Sequence, residues 1–83
     1  MADSVMAYIL MTVDLGHTDK VLQQLKTVDE ATRIAVTTGE YDIVVLVEVA
    51  DLESLYEITV NRIHQIPGIS ETTTAVVEKM LSI

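Results

Sequence analysis

At 83 residues, 49 % of them apolar, the chain makes one small domain and is too hydrophobic to be disordered. It has no cysteine, which excludes a disulfide or a thiolate metal site. Its net charge is −8, and its cations (Lys20, Lys26, Arg33, Arg62 and Lys79) are scattered, which argues against direct nucleic-acid binding, because phosphate contacts need clustered positive charge.

Residues 4–13 read as a strand with Val5, Ala7, Ile9, Met11 and Val13 on one face and Met6, Tyr8 and Leu10 on the other. A polar loop containing Gly16 follows. Residues 19–28 read as a helix: Val21, Leu22, Leu25 and Val28 recur at helical spacing, and Lys20, Gln23, Gln24 and Lys26 take the wet side. Residues 33–37 and 42–50 read as the second and third strands. The third carries Ile43, Val45, Val47 and Val49 on one face and Val44 and Leu46 on the other; Glu48 reads as a strand-end residue facing water in preference to a buried carboxylate with a partner. Between these strands lies the polar turn Thr38-Gly39-Glu40-Tyr41-Asp42, a hairpin signal in which Gly39 can take positive φ. Asp51 suits a helix N-cap and Glu53 the positive end of a helix dipole. Leu52, Leu55, Thr59, Ile63 and Ile66 then form a helical stripe that Pro67-Gly68 ends. Residues 69–81, rich in Thr and Val, read as the last strand.

The order β-α-β-β-α-β predicts an α+β, ferredoxin-like domain over residues 1–83, with a four-stranded antiparallel sheet and two helices on one face. Its first and third strands lie in the middle, and here both are apolar on both sides. The sheet face without helices should therefore pack on a second copy, giving a dimer by sheet-to-sheet packing. Burying five residues such as Met6, Tyr8, Leu10, Val44 and Leu46, or the opposite set, is worth roughly 1.5–3 kcal/mol each, partly offset by the cost of association. No apolar run is long enough to span a bilayer, and the first residues lack the basic start of a signal peptide, so a cytoplasmic location is expected.

Catalytic chemistry is sparse. His17 and His64 are far apart in sequence, the serines have no nucleophile-elbow context, and no phosphate-cradling glycine loop or metal-ligand cluster is visible, so no cofactor is expected. Glu40 and Asp42 could act as an acid and base pair. Thr72 and Thr74 share a strand face and could line a polar site. Backbone N–H groups in a glycine turn attract a carboxylate, Asp42 can hold an ammonium group, and apolar neighbours accept an aliphatic side chain. A free amino acid has all three features.

The set Thr38-Gly39-Glu40-Tyr41-Asp42, the apolar third strand, Asp51-Leu52-Glu53, Ile66-Pro67-Gly68-Ile69 and Thr72-x-Thr74 resembles the effector domain of the Lrp/AsnC transcription regulators, also called the RAM domain. The resemblance covers essentially the whole chain and is strongest over residues 36–78. It implies dimers formed through the sheets, further assembly into octamers or decamers, and small effectors, usually amino acids, bound near contacts between dimers. Gly39, Tyr41 and Asp42 match the family's turn, and Thr72 and Thr74 its final-strand threonines. His64, Ala75, Val76 and Val77 lie where family pockets are lined. Family regulators carry an N-terminal helix-turn-helix domain that this sequence lacks, so it resembles the stand-alone members, which sense amino acids or modify the assembly of full-length regulators. The leading expectation is an amino-acid-responsive regulatory and oligomerisation domain, not an enzyme. The rivals are a small dimeric α+β-barrel enzyme, for which His64 would lie near Asp42, and a pure assembly partner of full-length regulators. The ACT domain shares the layout but pairs its sheets side by side.

Overall fold

Alternation sets the first strand, Val5–Val13 (β1): Ala7, Ile9 and Met11 are wholly buried, while Met6, Tyr8 and Leu10 point the other way. The computed structural model describes residues 4–83. After β1 come a helix Thr18–Leu25 (α1), strands Ala31–Val36 (β2) and Ile43–Val49 (β3), and a helix Leu52–Ile58 (α2). A π-helical segment Thr59–Ile63 continues α2, and Ile69–Val76 (β4) is the last strand. The strands form one antiparallel sheet in the order β2-β3-β1-β4, so β1 and β3 are central. The expected topology is present.

Both helices cover the face carrying Ala7, Ile9, Met11, Ile43, Val45, Val47 and Val49. Val21, Leu25, Val28, Leu55, Ile58, Ile63 and Ile66 close the core above them. The helical stripe differs from its expected register. Leu52 is 62 % exposed, and Ile58 is buried in the series instead. The π turn is the reason: the N–H of His64 donates to the Thr59 carbonyl, five residues back, at 2.9 Å, and the Thr59 hydroxyl donates to the Leu55 carbonyl at 2.7 Å. The wider turn places Ile63 on the same side as Ile58 and Leu55.

Element ends follow local hydrogen bonds. α1 stops at Leu25 although apolar spacing continues to Val28, because Thr27 and Val28 donate to the carbonyls of Gln24 and Leu25 in tighter turns. β4 stops at Val76 instead of reaching residue 81. Val76 pairs with Ala7 and the Val77 N–H reaches the Met6 carbonyl, where the ladder between the two strands ends although β1 runs on to Val5. The predicted N-cap is present, with Asp51 Oδ1 accepting from the Ser54 N–H at 2.8 Å. Arg62 pins the π segment to the entry of β2 through Glu30 (3.2 Å) and the Thr27 carbonyl (3.3 Å). Gly68 takes φ +101°, and a Cβ there would lie 2.7 Å from His17 Cβ, so only glycine lets these loops close together.

Candidate functional site

The β2–β3 turn is built from its own backbone. The Thr37 N–H donates to the Asp42 carbonyl at 2.9 Å, and the Thr37 hydroxyl to the Tyr41 carbonyl at 2.8 Å. Gly39 takes φ +113° with open space around it, so its role is conformational. Thr38, Gly39 and Glu40 are exposed; Tyr41 and Asp42 are half-buried.

Asp42 ties this turn to the end of β1. Its N–H donates to the Met11 carbonyl at 2.9 Å, and its Oδ2 accepts from the Val13 N–H at 2.8 Å. Ser70 is extra in the β1–β4 ladder at this point, and its hydroxyl lies 2.7 Å from that of Thr12. One oxygen of Asp42 thus does backbone work, and Oδ1 has no hydrogen bond among the described residues. The turn is therefore more than a solvated loop, and Asp42 is less free than a turn carboxylate usually is.

Thr72 pairs with Met11 and Thr74 with Ile9, so both stand on the helix-covered side, as their spacing predicts. Thr74 lines an apolar groove of about 200 Å³ with Leu52, Leu55, Tyr56, Thr59 and Val60. The sequence reading placed Leu52 in the core; with Tyr56 and Val60 it instead forms an exposed i, i+4, i+8 stripe. That spacing was readable, but not which way it faces.

Alternation divides the other residues named from sequence. Ala75 pairs with Tyr8 on the open sheet face, and Val76 pairs with Ala7 on the helix side. Ala75, Val76 and Val77 therefore cannot line one wall together. His64 is exposed and closes the π turn through its N–H. The turn and the threonine pair also stand apart. β1 runs between them, a separation of two strand spacings, about 10 Å, and the groove at Thr74 includes no residue from Thr38 to Asp42.

On the open face, Tyr8, Arg33, Ala35, Val44 and Leu46 line a shallow recess of about 390 Å³. No group of three or more metal-ligating side chains occurs among the described residues, and no helix is long and apolar enough to cross a membrane. The Asp51 carboxyl lies below the ordinary aspartate range because the Ser54 backbone N–H and hydroxyl hydrogen-bond to it.

Residues 6–82 match the family model of the Lrp/AsnC ligand binding domain. The chain belongs to the Lrp/AsnC family. Among curated Lrp/AsnC-type relatives, the HTH-type transcriptional regulator FL11 of Pyrococcus horikoshii is 34 % identical over 76 residues, 92 % of this chain and 50 % of FL11. The chain thus spans about half the length of the curated relatives it matches. The crystal structure of FFRP-DM1 superposes with a TM-score of 0.84 at 33 % identity, covering 88 % of this chain and 97 % of that one. AsnC of E. coli superposes at 0.88 with 28 % identity, over 95 % of this chain and 56 % of AsnC. A Neisseria meningitidis regulator solved with L-Met shares the fold at a TM-score of 0.89 and 14 % identity, over 95 % of this chain and 53 % of its own. The curated Lrp/AsnC relatives are transcriptional regulators.

Proposed function

We propose that this chain is an amino-acid-responsive regulatory and oligomerisation domain whose effector site forms only between copies. Two copies pair through their open sheet faces, and pairs assemble further into octamers or decamers. The effector sits where the Thr38–Asp42 turn of one copy meets the Thr72 and Thr74 side of another, with Asp42 Oδ1 on the ammonium group and turn N–H groups on the carboxylate. The observation that carries this reading is the separation of the two halves: each offers polar groups suited to an amino acid, yet β1 keeps them apart in one protomer. The L-Met bound by the Neisseria regulator makes methionine the first ligand to try.

Calorimetry against the twenty amino acids, at protein concentrations that keep the oligomer intact, tests it. Heat of binding for at least one amino acid, lost in Asp42→Asn, is expected. Silence at millimolar ligand overturns the reading.

A further inference from the structure

The four strands hold three charged residues, and all lie on the open face: Arg33 opposite Leu46, Glu48 opposite Met6 and Glu71 opposite Thr12. Everything else there is apolar or uncharged, including Met6, Tyr8, Leu10, Thr12, Ala35, Val44, Leu46, Thr73 and Ala75. Arg33 is the sole cation of the sheet. It lines the recess with Tyr8, Val44 and Leu46. In a chain with 13 acids it has no ion pair among the described residues, whose one salt bridge is Arg62–Glu30. Glu71 is on the opposite edge strand, three strand spacings or about 14 Å across the sheet and a further four residues along β1, out of reach within one protomer. Glu48 is instead held by the Ser4 hydroxyl at 2.6 Å.

We propose that Arg33 is the residue that orients the second copy on the open face, by pairing with Glu71 or Glu48 of that copy. The proposal rests on the sheet-to-sheet dimer. Arg33 lies at the β2 edge of the face, Glu71 at the β4 edge and Glu48 on β3 between them, so a two-fold axis can set the cation of one copy against an acid of the other. An apolar face slides easily into wrong registers; a charge at its rim does little for bulk affinity but selects the arrangement and disfavours like-charge contacts. Without Arg33, association would bring together only the four carboxylates of two copies. The partner is therefore a second copy of this chain.

The test is sedimentation at low salt of the wild type, Arg33→Glu, and the charge-swapped doubles Arg33→Glu/Glu71→Arg and Arg33→Glu/Glu48→Arg. Lys20→Glu, away from the sheet, controls for net charge. Arg33→Glu should raise the dimer dissociation constant about tenfold or more, one double should restore most of it, and the difference should shrink at high salt. Circular dichroism should stay native throughout, since Arg33 is exposed. A wild-type dimer that Arg33→Glu weakens no more than Lys20→Glu does, or that neither double rescues, overturns the pairing and leaves the dimer standing. A wild type that is monomeric at every concentration overturns both.

Discussion

The carboxylate of Asp42 serves fold and proposed site at once. Oδ2 holds the Val13 N–H beside the bulge at Ser70 of β4, and in the proposed site Oδ1 takes the ammonium group. Asp42→Ala should therefore lose about 1 kcal/mol or more of stability as well as ligand, because a half-buried N–H goes unpaired; a turn residue carrying no core burial would not predict that. Asp42→Asn keeps an acceptor oxygen, so its urea midpoint should stay near wild type while effector heat disappears. Retained binding in Asp42→Asn would remove the ammonium role. Asp51 gives the pH prediction. Its carboxyl pKa is depressed in the folded state, so its contribution is present above the ordinary aspartate range and is lost as pH falls through the folded value. Asp51→Asn should keep the cap and flatten this acid dependence in thermal melts, whereas Asp51→Ala should lower stability at neutral pH. Gly68→Ala combines positive φ with a Cβ 2.7 Å from that of His17 and should cost about 1–3 kcal/mol in urea unfolding. Gly39→Ala meets open space and should cost less.

At the scale of elements, strands were legible because period-two alternation is decided residue by residue. β1 and β3 show it in sequence as clearly as in space. Their ends were not legible, since a strand stops where its ladder does: apolar residues continue over 77–81, yet the β1–β4 ladder closes at Val76 and the Val77 N–H. The second helix was legible from Asp51 and the Pro67-Gly68 stop. The π turn was not, because a single widened turn leaves no composition signal. It exchanges Ile58 for Leu52 in the core. Ile63→Ala should then cost about 2–5 kcal/mol, and Leu52→Ala, at an exposed position, within about 0.5 kcal/mol of wild type, both read by denaturant melts. The site pieces were visible as motifs, but their sidedness was not. Ala75 and Val76 are adjacent in sequence and face opposite layers, and the gap between Asp42 and Thr72 exists only once β1 is inserted between them.

For the whole molecule, one layer of helices over one sheet leaves the second sheet face bare. Leu46→Asp, centred on that face beside Arg33 and Tyr8, should give a folded monomer by sedimentation and, if the effector site needs several copies, abolish amino-acid binding at a distance from Asp42. A dimeric Leu46→Asp protein would contradict the sheet-to-sheet assembly. The strand order has a further consequence, in the timing of synthesis. β1 emerges from the ribosome first, yet its second neighbour, β4, emerges last, pairing Ala7 with Val76. Until then, one of the sheet's two-faced apolar strands has an open edge, the kind of surface that chaperones hold and aggregates recruit. The strand that closes it is the one carrying Thr72 and Thr74, so a nascent chain completes its scaffold only by completing its share of the proposed site.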